Sequence, residues 1–205
     1  MASRARAEGP QVATDKRRQI LDAAVRVFAR QGFHSTRVSD IADEAGVAYG
    51  LVYHYFRSKD QVLNELFSER WSLLLATIEE TDGGTPPRER LAAVAGFIVD
   101  SYRHDPELMK VIIVEVTRAA NSFGRTHLPE ISKAYGLIAD IVAEGQAQGA
   151  FRDDIDPQFA SMSFYGAIEQ LLSGWIFDLI PSGTRDFDHA KELVVETICG
   201  GLEPR

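Results

Sequence analysis

The stretch TRVSDIADEAGVAYGLVYHYFRSK, residues 36–59, reads as two short helices joined by a tight turn. Val38, Ile41, Ala42 and Ala45 recur at helical spacing, so one face of the first helix is buried. Gly46 stops that helix, because glycine enters the left-handed backbone region at little steric cost. A second short helix, Ala48 to about His54, follows after only Gly46 and Val47, and a third helix starts near Ser58. Two short helices across so sharp a bend make a helix-turn-helix, whose second helix can lie in the major groove of double-stranded DNA. Val47, Val52 and Phe56 read as internal, which leaves Ala48, Tyr49, Leu51 and His54 of the second helix without core duty. Thr36 stands where it can cap the first helix and donate to a phosphate, and Arg37 can hold a phosphate or a guanine edge.

Working outward, residues 1–15 are polar and small and are expected to be a disordered tail. The first helix is expected from near Lys16, with Ile20, Ala24, Val27 and Phe28 on one stripe and Gly32 as its stop. Residues 16–60 thus form a three-helix module, and residues 61–205 a second domain. Ser58 and Gln61 have capping-box spacing, so a long helix begins there and runs through Leu66, Trp71 and Ile78 to about Glu80. After the Gly/Pro linker TDGGTPP, helical patterns cover Arg88 to Tyr102, Asp105-Pro106 to about Phe123, and Pro129 to near Gly149. Asp156-Pro157 opens a long helix that Pro181 ends, and a last one spans roughly Phe187 to Ile198, stopped by Gly200-Gly201. No segment alternates with period two, so the chain is expected to be all-α, with about nine helices.

The helix after Asp156 is apolar around most of its circumference, which a surface helix is not. Ala160, Ser163, Gly166, Ala167 and Gly174 permit close helix approach, and Phe177 extends the same segment into an expected dimer interface. The central helix of a monomeric bundle has the same pattern. The helix-turn-helix favours a homodimer, since paired half-sites one DNA turn apart need two modules.

Composition narrows the function. The 205 residues carry a formal net charge of −8, yet residues 1–60 hold 10 Lys and Arg against 7 Asp and Glu, while the remainder holds 12 against 23. Basic charge therefore sits beside the helix-turn-helix on an otherwise acidic protein. One cysteine, Cys199, excludes an internal disulfide framework. No apolar run approaches the roughly 20 residues of a membrane helix, and the N-terminus lacks the apolar core of a signal peptide, so a cytoplasmic protein without membrane partners is expected. His34, His54, His104, His127 and His189 are scattered, and no phosphate-binding glycine loop or nucleophile elbow appears. Neither an enzyme nor a cofactor or metal is expected.

GFHSTRVSDIADEAGVAYGLVYHYFRSKDQVL, residues 32–63, resembles the DNA-binding domain of TetR-type transcriptional regulators. Gly32-Phe33, Thr36, Ile41-Ala42, Ala45-Gly46-Val47, Gly50, Tyr53-His54-Tyr55-Phe56 and Lys59 carry the likeness, in order and without gaps. The resemblance implies that Tyr53, His54 and Lys59 grip the DNA backbone. Thr36, Arg37, Ser39, Ala48, Tyr49, Leu51, Tyr53, His54 and Lys59 are accordingly the expected DNA-contacting set. Ala48 replaces the family's usual Ser/Thr, and Leu51 a small or hydroxylated residue, which leaves few donors for base edges.

The resemblance also implies a ligand pocket among the later helices, for which Trp71, Phe97, Tyr102, Val116, Tyr135, Ile138, Phe164 and Ile168 are the candidates. Glu115, Arg118 and Glu169 stand as polar residues within apolar helical stretches. Residues 141–177, IVAEGQAQGAFRDDIDPQFASMSFYGAIEQLLSGWIF, are similar to the C-terminal helices of TetR-type fatty-acid-degradation regulators, which respond to long-chain acyl-CoA. A CoA head would need basic residues such as Arg103, Lys110, Arg118 or Arg125. The expectation is a ligand-responsive DNA-binding regulator, a repressor released by a small apolar effector. A constitutive DNA-binding protein and a helical lipid carrier remain as rivals.

Overall fold

The computed structural model describes residues 10–80, 84–114, 126–180 and 186–202. These form nine helices and no strand among the described residues. The chain divides into two compact units, Met1–Phe67 and Ser68–Arg205.

In the first unit, α1 (Pro10–Gln31), α2 (Val38–Ala45) and α3 (Tyr49–Tyr55) precede α4 (Lys59–Glu80), a single helix whose first turns belong here. Helix α1 starts at Pro10 rather than near Lys16, so the segment taken as tail is helical from there; proline at a helix start loses no intrahelical bond. Ile20, Ala24, Val27 and Phe28 of α1 are all buried, as are Ile41, Ala42 and Ala45 of α2 and Val52 of α3. Gly32 and Gly46 take φ of 81° and 61°, where any side chain would be strained. Ser58 caps α4 as expected, its Oγ accepting from the Gln61 amide at 3.2 Å, while Gln61 Oε1 reaches one residue past the cap and accepts from the Arg57 amide at 2.7 Å.

The second unit holds the rest of α4, then α5 (Pro87–His104), α6 (Pro106–Ile112), α7 (Leu128–Ala147), α8 (Pro157–Ile176) and α9 (Phe187–Leu202). Helix α5 packs against α6, α7, α8 and α9, and α7 packs along α8. Asp105 and Asp156 cap α6 and α8, each accepting an amide at 2.9 Å with proline following, as the cap-proline pairs imply. Two ends differ from expectation. Helix α8 stops at Ile176, short of Pro181, because the chain folds back and sets Ile180 over Gly174; a Cβ on Gly174 would come within 2.6 Å of it. Helix α9 runs through Gly200-Gly201 to Leu202, which is buried and accepts the Arg152 amide at 2.6 Å. No helix among the described residues is long and apolar enough to cross a membrane.

Candidate functional site

The first candidate surface is α3 with the start of α2. Burying Val52 turns the opposite side of α3 outward, and Ala48, Tyr49, Gly50, Tyr53 and His54 are exposed there, with Leu51 half-buried. Tyr49 and Tyr53, one turn apart, are 53% and 44% exposed, which no packing role explains. Tyr49 Oη donates to Tyr53 Oη at 3.1 Å, and the rings meet edge to face at 5.0 Å. That hydrogen bond pushes the Tyr49 phenol up, and a tyrosine hydroxyl can donate to an acceptor surface. Arg37, exposed, is the N-cap of α2, and Ser39 is half-buried in its first turn. Arg57, absent from the expected set, is exposed just after α3; a basic residue beside a recognition helix was its available signal.

Two expected contacts have other work. Thr36 is 2% exposed and donates Oγ1 to the Gly32 carbonyl at 2.8 Å, so it neither caps α2 nor reaches a phosphate. Lys59 Nζ donates to the carbonyls of Phe33, His34 and Thr36 at 2.7, 3.2 and 2.9 Å, and lies 4.5 Å from the centre of the Phe33 ring. All three ammonium hydrogens are committed to the α1–α2 turn, which makes Lys59 a clamp on that turn. Much of the module's basic charge is likewise paired inside it. Arg26 and Arg30 hold Glu44 at 2.7 and 3.1 Å, Arg18 holds Asp22 at 2.9 Å, and Arg17 pairs with Glu65.

The second candidate is a cavity of about 30 Å³ in the C-terminal unit, between α4, α5, α6 and α8. Its walls are mainly apolar, from Trp71, Leu74, Phe97, Ile98, Met109, Ile112, Ile113 and Leu172, with Arg70, Ser101, Tyr165 and Glu169 among them. Trp71 is held in place by its indole N–H, which donates to the Glu130 carbonyl at 2.9 Å. Of the eight expected pocket residues, Trp71 and Phe97 line this cavity. Ile138, Phe164 and Ile168 are core residues 0–1% exposed and lie off it. Tyr102 is also displaced: it stacks on Trp175 at 5.6 Å beside Phe187, joining α5, α8 and α9. Tyr135 touches the cavity only through Tyr165, at 5.3 Å between rings. Val116 lies outside the described residues, as do Glu115, Arg118 and Arg125.

A third surface runs along α8 and α9. Phe159 and Met162 of α8, Phe177 just after it and Leu193 of α9 are exposed at 68%, 61%, 39% and 51%. Gly166 is exposed on the same helix, with Ser163 and Ala167 half-buried beside it. Ala160 and Gly174 are buried within their own unit, Gly174 beneath Ile180, and so are not on this surface.

Comparison with known proteins places both units. Residues 20–66 match the family of bacterial regulatory proteins of the TetR type, and residues 87–198 match the tetracyclin repressor-like C-terminal domain. The chain is 34% identical over 162 residues to the fatty acid metabolism regulator protein of Bacillus subtilis, covering 78% of this chain and 83% of that one. It is 33% identical over 156 residues to the transcriptional repressor KstR2 of Mycolicibacterium smegmatis, 72% of this chain and 73% of that one. Among solved structures, FadR from Bacillus subtilis in complex with stearoyl-CoA superposes with a TM-score of 0.78 at 30% identity, over 91% of this chain and 99% of that one. The fatty acid degradation regulator FadR from Bacillus halodurans does so with a TM-score of 0.80 at 28% identity, over 98% and 100%. With a helix-turn-helix in front and a helical domain behind that both match, the chain belongs to the TetR family and is a DNA-binding transcriptional regulator, not an enzyme.

Proposed function

We propose that this chain is a cytoplasmic, homodimeric repressor that leaves its operator when a long-chain acyl-CoA enters the cavity of the C-terminal unit. The observation that carries this reading is the likeness of fold to a relative solved with stearoyl-CoA, and the cavity described here is too small for such a ligand. At about 30 Å³ it is roughly a tenth of the smallest ordinary ligand pocket, about 300 Å³. An acyl chain therefore enters only if α4, α5, α6 and α8 part, and the ligand selects a conformation other than the one described here. Helix α4 supplies Arg70, Trp71 and Leu74 to the cavity and is continuous back to Lys59 at the edge of the DNA-binding module. Ligand and operator then oppose each other by linkage. To turn operator occupancy from 99:1 to 1:99, the ligand must prefer the released conformation about 10⁴-fold, about 5.5 kcal/mol.

The relative solved with stearoyl-CoA supports the ligand class, and the exposed Phe159, Met162, Phe177 and Leu193 support pairing through α8 and α9. Fluorescence anisotropy with DNA from upstream of the protein's own gene tests the reading. Sequence-dependent binding that weakens on adding stearoyl-CoA is expected; binding indifferent to every acyl-CoA would remove the effector assignment.

A further inference from the structure

The outward side of α3 is short of the groups that read purines and cytosine. In the major groove guanine is read by Arg or Lys, adenine by Asn or Gln, and cytosine by Asp or Glu, each through hydrogen bonds to the base edge. Helix α3, YGLVYHY, and its N-cap Ala48 contain none of these six residue types. Its exposed members are Tyr49, Gly50, Tyr53 and His54, with Ala48 exposed before them and Leu51 half-buried. In a helix-turn-helix the N-terminal residues of the second helix meet the base edges, while the first helix crosses the backbone. That order gives the base edges to Ala48 and Tyr49. It leaves His54 in the last turn of α3, its ring edge-on to Tyr55 at 5.1 Å, and Arg37 at the N-cap of the helix that crosses the backbone.

Tyr49 presents carbon to whatever meets it. Its hydroxyl donates to Tyr53 Oη at 3.1 Å, and the two rings meet edge to face at 5.0 Å, which sets the orientation of the Tyr49 ring before any DNA arrives. The Ala48 methyl, also exposed, extends the same apolar surface. Thymine alone among the bases puts an apolar group, its C5-methyl, into the major groove, and alanine and aromatic side chains are what pack against it. We propose that α3 reads its half-site through a thymine C5-methyl packed against the Tyr49 ring and the Ala48 side chain. This rests on the operator-binding part of the reading above and names what that surface recognises.

The test starts from the duplex most enriched when the protein selects from a random-sequence DNA pool. Fluorescence anisotropy compares that duplex with the same sequence carrying deoxyuridine for every thymidine, which removes the methyls and keeps every base pair and phosphate. A buried methyl contributes about fourfold in affinity, so two half-sites should lose about 15-fold. Tyr49→Phe keeps the ring and should keep that ratio. Tyr49→Ala, at a position 53% exposed, should stay folded by circular dichroism and close most of the gap, with low salt keeping the weakened binding measurable. Equal affinity of the unaltered protein for both duplexes overturns the inference and leaves operator binding standing. A ratio that survives Tyr49→Ala overturns it as well, because the methyl is then read elsewhere, and so does a ratio that vanishes in Tyr49→Phe, because the tyrosine then works through its hydroxyl. A selection that enriches no sequence brings down the operator-binding reading and the inference together.

Discussion

Replacing Lys59 by methionine separates two accounts of the same residue. The structure assigns its ammonium to three backbone carbonyls, Phe33, His34 and Thr36, of the turn that sets α2 against α1. Methionine keeps the apolar stem along the Phe33 ring and removes all three donors. A hydrogen bond to a charged group contributes about 1.5–3 kcal/mol. Lys59 is half-exposed, and water can replace some of what is lost, so the sum is discounted to about 2–3 kcal/mol. In a domain of this size 1 kcal/mol shifts melting by about 4–8 °C, so the first unfolding transition should fall by about 8–24 °C. Circular dichroism melts measure that fall. Operator binding by the folded variant, followed by anisotropy across a salt series, should keep the slope of log K against log salt. A phosphate contact behaves otherwise, since its removal flattens the slope by about 0.9 and leaves the melt alone. An unchanged melt with that flattened slope would refute the clamp.

Three further outcomes are expected. In α7, Gly145→Ala places a Cβ 2.2 Å from Phe151 Cδ2 and should cost about 1–3 kcal/mol in urea unfolding, whereas Gly136→Ala, whose Cβ meets nothing within 4 Å among the described residues beyond its own stretch of helix, should add about 0.5–1. Phe159→Asp with Met162→Asp puts charge on the exposed face of α8, and light scattering should report a monomer in place of a dimer with the helical content retained. Hydrogen bonds from Arg26 and then Arg30 hold the Glu44 carboxyl below its usual range, so its stabilisation is present at neutral pH and lost as pH falls through the folded-state value; Glu44→Gln should remove that part of the acid sensitivity of melting.

The first unit was almost wholly legible because its signals are local. A buried stripe, a left-handed glycine and a serine cap each act within a few residues, and Ile41, Gly46 and Ser58 behave as that chemistry requires. Ends set by distant contacts were not legible. The Gly200-Gly201 pair reads as a stop, yet burial of Leu202 carries α9 through it. The bonds that Lys59 and Thr36 make to the α1–α2 turn were hidden for a different reason. A phosphate oxygen and a backbone carbonyl are both acceptors, so the residue types suited to one suit the other. Only the position of the α1–α2 turn shows which acceptor each one finds.

Trp71 and Phe97 were placed on the cavity, and the rest of its wall was missed by a rotation of one residue. On α8 the expected wall was Phe164 and Ile168, and the actual one is Tyr165, Glu169 and Leu172, the i, i+4, i+7 stripe next to it. On α5 the same slip separates Tyr102, turned toward Trp175, from Ser101, turned toward Arg70. Successive helical residues lie about 100° apart, so an amphipathic helix shows in its sequence which stripe is buried. Helix α8 is apolar nearly all round and has no dry-versus-wet contrast to orient it. What marks its cavity face is Glu169, a charge placed where an otherwise apolar stripe meets three other helices. In a helix of that kind the polar residue, rather than the aromatic one, tells the cavity face from the core face, because a carboxylate is costly to bury among apolar side chains.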